Sequence, residues 1–426
     1  MSNFSCMIMY GSAWLMLLTI HIIKNRSLGL GGIILSLYFI SSLFSFIFYS
    51  NTSVFDNVDF EWTAFVYLFL INAICVLPFV FYSSRLSSAK LNFSGENKFL
   101  YIFLLLCTPI VIEGFLEMFY IAINTSTSQL GSIYDSEVDT VGNQLSFIGR
   151  KTCTIARMLQ YAWPILFFGC ILKGGRYLKL VYIPAMGTAI RLLEGYAAAA
   201  RFVIVVGIFQ YLIAYLLFYP SLNVSIRKRI NTIFLSFGAV LILFLSYITI
   251  SRFGEMDTSV DIWTWISLYL GEGSLRFAQY IWNLDMMSDG DTCFSFFKNL
   301  IGLDTLTDNT SRREFYEFRL GIPTSIFYTM IGDFYQDFGY IGTFVIVIFI
   351  YIWLNSTLRK IVKNKSLTLN SLFVVNVFAL VFLHGFMYYI FKQYILQMNL
   401  CISFIVLYFI GKSEKNPPYD IKNRIK

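Results

Sequence analysis

Long apolar runs separated by short polar breaks occupy most of the chain, near 4–23, 28–49, 62–82, 99–123, 153–172, 178–196, 201–219, 231–250, 326–354, 371–391 and 394–411. A helix needs roughly 20 apolar residues to cross about 30 Å of hydrocarbon, and these runs are of that order. Strands of a membrane barrel would alternate in polarity over about ten residues, a pattern not seen here. Inside a bilayer every backbone N–H and C=O must be paired within the segment, which helices achieve. The pattern predicts an all-α, polytopic integral membrane protein of about eleven transmembrane helices, a single membrane domain over 1–426. A large external loop at 251–325 falls within it, with the aromatic stretches Ile262–Leu270 and Leu275–Leu284 expected as interfacial helices. The first run lacks a basic leader and a small-residue cleavage site, and is expected to be a retained span.

Composition agrees with the pattern. Only 13% of residues are charged and 57% are hydrophobic, against roughly a quarter charged in soluble domains, and the mean hydropathy is +0.66. The net charge of +7 does not indicate nucleic acid, because the basic residues are segregated. Alternate connections and the C-terminal tail carry 20 of the 32 Lys and Arg residues, among them Lys24, Arg85, Lys90, Arg176, Arg227 and Lys360, beside three acids, Glu96, Glu414 and Asp420. By the positive-inside bias the N-terminus is expected outside and the C-terminus in the cytoplasm. The cytoplasmic connections are too short for a nucleotide-binding domain. The Gly29-x-Gly31-Gly32 cluster follows no strand and is expected in helix packing or a turn. Seven scattered cysteines and two histidines, His21 and His384, show no metal-ligand spacing, so no metal and no cofactor are expected.

The 12 basic residues left for the opposite side include nine arginines: Arg150, Arg157, Arg191, Arg201, Arg252, Arg276, Arg312, Arg313 and Arg319. Arginine offers a fixed fork matching phosphate oxygens, so this excess points to an anionic partner at the membrane interface. Plain ion pairing with the 22 acids on that side is the bland alternative. Arg157, Arg191, Arg201 and Arg252 lie in or at the ends of spans, where an ionisable group is costly unless paired or functional. Glu194 is a helical partner for Arg191. Glu113 and Glu117 share a helix face and are expected to meet a polar cavity or an arginine, or to share a proton. Asp289-Gly290-Asp291 reads as a turn more readily than as a metal-binding D-x-D. His384 could act as a base, in competition with Glu255, Asp257, Asp333 and Asp337.

Ser251-Arg252-Phe253-Gly254-Glu255, Tyr269-Leu270-Gly271, Phe277-Ala278-Gln279-Tyr280-Ile281 and Thr329-Met330-Ile331-Gly332-Asp333-Phe334-Tyr335-Gln336-Asp337-Phe338-Gly339 lead into an apolar helix, and a break ends in Arg201. With this layout the chain resembles the Wzy-type O-antigen and oligosaccharide repeat-unit polymerases. The resemblance implies a glycosyltransferase of the bacterial cytoplasmic (inner) membrane, joining undecaprenyl-diphosphate-linked oligosaccharides on the outer face. It implies substrate contacts from Arg191, Arg201, Arg252 and Arg276, a base in Glu255 or His384, and a flippase and a chain-length regulator as candidate partners. A lipid-linked oligosaccharide flippase or other secondary transporter, and an O-antigen ligase, are the rival readings. The single large outer loop weighs against the transporter.

Overall fold

The computed structural model describes residues 2–26, 28–93, 96–125, 140–198, 200–236, 238, 262–324 and 326–413. The helices are α1 (Asn3–Asn25), α2 (Gly29–Asn51), α3 (Trp62–Leu86), α4 (Lys98–Asn124), α5 (Thr140–Gln144), α6 (Phe147–Met158), α7 (Trp163–Lys173), α8 (Gly175–Leu178), α9 (Tyr182–Ala197) and α10 (Arg201–Phe218). Then follow α11 (Ile262–Arg276), α12 (Ser295–Leu300), α13 (Asn309–Leu320), α14 (Thr329–Asn364), α15 (Leu369–His384) and α16 (Tyr394–Lys412). A further helix covers 224–236. The strands β1 (Lys90–Leu91) and β2 (Ser366–Leu367) are two residues each and pair in parallel. The protein is all-α.

Among the described residues, seven helices are long and apolar enough to cross a membrane, or eight if α6 and α7, bent by 74°, form one broken span. Lipid is the environment that such helices fit. The eleven expected spans differ from this count for local reasons. The run at 178–196 becomes α9, whose 16 residues fall short of a crossing, and the run at 371–391 becomes α15, also 16 residues. Most of the run at 231–250 lies outside the described residues. The long run at 326–354 is one of the seven, within α14, and the helix kinks at Gly339, whose φ of 63° is open to glycine at little steric cost. Asp333 and Asp337 fall in the short piece before that kink.

The chain divides into two compact units: residues 1–88, 259–365 and 377–398, and residues 89–258, 366–376 and 399–426. In the first, helix contacts rest on close backbone approach and aromatic packing. A Cβ at Gly31 would come within 2.7 Å of Phe79 O, so the glycine cluster at the start of α2 serves helix packing. Trp14 packs on Tyr38 and Phe69, and Asn72 accepts a hydrogen bond from Tyr38 at 3.3 Å. At Gly271 an added Cβ would overlap the backbone of Phe44 and Ser45, which brings α11 onto α2. Ser45 Oγ then donates to Gly271 O at 2.7 Å and lies 2.8 Å from Ser274 Oγ. The stretch read as an interfacial helix is thus partly a packing element.

In the second unit, connections that carry the basic residues are tied together. Asn92 N donates to Leu367 O at 2.8 Å next to the β1–β2 pair, and Leu91 N donates to Ser221 Oγ at 2.7 Å. Asn97 caps α4 through Leu100 N and donates to Ile410 O at 2.7 Å, while its own N–H donates to Tyr177 Oη at 2.8 Å. Arg176 pairs with Glu96 and stacks over Tyr101 at 4.7 Å. Segments grouped by charge alone therefore meet in space.

Candidate functional site

Pro164 opens the break that builds the cluster in the second unit. Proline supplies no N–H to carry the ladder of α6 onward but is tolerated in the first turn of a helix, and here it stands in the first turn of α7, after the turn 159–162 that ends α6. The indole of Trp163 donates to Ala156 O at 2.8 Å, satisfying a carbonyl at the end of α6. The flat ring is received by Gly187 of α9, where a Cβ would come within 2.6 Å of it. One turn further along α9, Arg191 Nε donates to Gln160 Oε1 in the break at 3.1 Å.

Glu194 joins the two helices. Its Oε2 lies 2.8 Å from Arg191 Nη1 and its Oε1 lies 2.6 Å from Arg157 Nη2. Two guanidinium groups thus share one carboxylate, leaving one net positive charge. All three side chains keep some exposure, 22% for Arg191, 32% for Arg157 and 14% for Glu194. Arg157 Nε is buried and finds no acceptor among the described residues. A buried donor left unmade is costly, and such a group beside excess positive charge fits an anion with several oxygens.

In the first unit, Arg276 closes α11 and precedes a π turn, Phe277–Ile281, a feature frequent at functional positions. Its Nη1 donates to Gln279 Oε1 at 2.9 Å, and its guanidinium lies over Phe55 and Tyr280 at 5.0 and 5.8 Å. Glu272 sits 3.8 Å from Arg276 Nε and accepts from Phe327 N at 3.1 Å. Burial pushes the Glu272 carboxyl up, while the Phe327 N–H and Arg276 act the other way. Arg276 Nε also has no hydrogen-bond acceptor among the described residues. Nearby, Thr329 takes a φ of 73°, a strained setting for a β-branched residue, held by its N–H on Met387 O at 2.8 Å. Sequence reasoning missed Glu272, although a carboxylate four residues before an arginine on a helix is a readable signal.

The remaining candidates are dispersed. Arg201 is the first residue of α10, its side chain lying outside the described residues, and Arg252, Glu255 and Asp257 also lie outside them. His384 is 1% exposed, at the end of α15, with Nδ1 2.9 Å from Leu380 O. Asp333 accepts from Tyr389 N at 2.6 Å. Asp337 accepts from Ser288 Oγ, from Thr292 N at 3.0 Å and from Cys293 N at 2.6 Å. This is a latch between the loop and α14. Asp289 and Gly290 have φ of 52° and 86°, a turn as expected; Asp291 accepts from Tyr316 and Lys298. Arg312 is 5% exposed and donates to backbone oxygens of Lys392 and Asp291, which makes it a structural arginine. Glu117 meets Ser146 at the start of α6 instead of an arginine, accepting from its N–H at 3.0 Å. Among the described residues no group of three or more His, Cys, Asp or Glu is placed to hold a metal ion. Comparison with family models, curated proteins and solved structures returned no match.

Proposed function

We propose that the protein is a polysaccharide polymerase that joins undecaprenyl-diphosphate-linked oligosaccharide repeat units on the outer face of the bacterial cytoplasmic membrane. In this reading the N-terminus faces outward and the C-terminus the cytoplasm, as the charge bias directs. The observation that carries the proposal is the pair Arg157 and Arg191, sharing the single carboxylate of Glu194 at a break between apolar helices. The acceptor sugar hydroxyl attacks the anomeric carbon of the donor. A new C–O bond forms there as the bond to the diphosphate oxygen breaks. The hydroxyl proton passes to a base, and the electron pair leaves with the lipid diphosphate. Charge grows on that leaving group, and preorganised guanidinium groups stabilise it most where water is scarce.

Arg157 and Arg191 are assigned to the diphosphate, with Arg201 and Arg252 retained as further contacts. Arg276, beside Tyr280, is assigned to glycan contact in its own unit. Glu255 is the preferred base, since the ring of His384 is enclosed. Flippase and chain-length regulator proteins are the partners such an enzyme would serve.

Deleting the gene and viewing the surface polysaccharide as a gel ladder tests the reading. Collapse of the ladder to single capped repeats, restored by wild type but not by Arg191→Lys, is the expected result. Full-length chains stranded on the carrier lipid would indicate a ligase instead. Repeat units trapped inside the cell would indicate a flippase.

A further inference from the structure

The last turns of α1 and α3 form a recess that the proposed reaction does not use. It is an open recess of about 430 Å³ lined by Lys24, Asn25, Phe81, Tyr82, Ser84 and Arg85, a size within the range of about 300–1,000 Å³ usual for small-molecule sites. Lys24 stands in the last turn of α1 and Arg85 in the last turn of α3. Both spanning helices end here, so the recess sits at the level where hydrocarbon gives way to headgroups. No carboxylate lines it, and among the described residues neither cation is paired with one.

A basic residue at a helix C-terminus complements the helix dipole and needs no ligand. Three further observations reach beyond that. The two cations come from different helices and converge on one recess. Lys24 Nζ lies 5.8 Å above the ring of Phe81, which is itself 47% exposed. Directly before Lys24, Ile22 and Ile23 are 43% and 72% exposed, giving an apolar surface that acyl chains would cover. Basic pockets between spanning helices on the cytoplasmic side are suited to anionic headgroups. We propose that this recess binds the phosphodiester headgroup of an anionic phospholipid from the leaflet that the basic connections face. The Arg85 fork takes two phosphate oxygens, Lys24 takes a third, and the chains lie along Ile22, Ile23 and Phe81. This site is independent of the polymerase reading.

The test is native mass spectrometry of the full chain in mild detergent, titrated with phosphatidylglycerol or with phosphatidylcholine of the same chains. Wild type should hold phosphatidylglycerol more tightly. The pair Lys24→Gln and Arg85→Gln should weaken that binding by on the order of thirtyfold. Exchange to Lys24→Arg and Arg85→Lys keeps both charges but removes the Arg85 fork, and should weaken binding less than the Gln pair; the neutralising pair Lys360→Gln and Lys363→Gln, which does not line the recess, should preserve it. An unchanged thermal midpoint in phosphatidylcholine keeps a folding defect separate from a binding one. Equal binding of the two lipids, wild-type binding by the Gln pair, or displacement of the lipid by millimolar inorganic phosphate would each overturn the proposal.

Discussion

Glu194 Oε1 lies 2.6 Å from Arg157 Nη2, so a carboxylate of α9 holds a guanidinium at the end of α6. The same carboxylate also holds Arg191, and the three groups form one unit with a charge surplus. Arg191→Lys keeps a positive charge but loses the fork that reaches Gln160 and Glu194 together. Chain extension in membrane vesicles is expected to fall by about 10²–10³-fold, with little change in thermal midpoint because the pair is partly exposed. Glu194→Gln removes the balancing charge. It is expected to bind inorganic diphosphate several-fold more tightly by calorimetry while unfolding at lower temperature.

Gly187 lets the Trp163 ring sit against α9. Gly187→Ala forces that rigid ring to move, at a cost of about 1–3 kcal/mol typical of overpacking. A lower thermal midpoint together with a raised KM for the donor lipid is the expected outcome, since Gln160 and Arg157 shift with the break. A fall in stability with unchanged kinetics would mean that the break does not position the arginines.

For Glu272, burial pushes the carboxyl above its ordinary range. A carboxyl whose folded value is raised contributes stability that is fully present below its unfolded value of about 4.3 and lost as pH rises through the folded value. Glu272→Gln keeps an acceptor for Phe327 N and removes the titration. Its thermal midpoint relative to wild type should therefore rise with pH across that window and then level off. A difference between the two that does not vary with pH would show that Glu272 does not titrate there.

Asp337 accepts three hydrogen bonds from the 288–293 segment and is 1% exposed. Asp337→Ala leaves buried donors unmade and should cost about 3 kcal/mol or more. The fraction that remains folded should retain its specific activity, because Asp337 acts as a latch. Loss of activity at wild-type stability would make it a base instead.

The helical character and the grouping of connections were legible in the sequence because both follow from local runs and charge bias. The Arg191–Glu194 pair was legible for the same reason, being three residues apart on one helix. Its extension to Arg157 was not, since it depends on the bend at Pro164 and on the fit of Trp163 against Gly187. Asp289-Gly290-Asp291 was readable as a turn, whereas Asp337 looked like a base until its backbone donors were placed. The span count departs from expectation at α9 and α15, helices of 16 residues each, while the run leading through Gly339 is a candidate span as read. Glu117 was expected to meet a polar cavity or an arginine, or to share a proton; it accepts from the N–H and hydroxyl of Ser146, a contact that no local pattern announces.

The most direct measurement gives the purified full-length protein, reconstituted in lipid, the single lipid-linked repeats extracted from cells lacking its gene. The account predicts a ladder of products longer than one repeat, with free lipid diphosphate released in step, and no ladder from Arg191→Lys. Single repeats left unchanged by a folded wild-type protein, or a ladder of equal strength from the variant, would contradict it.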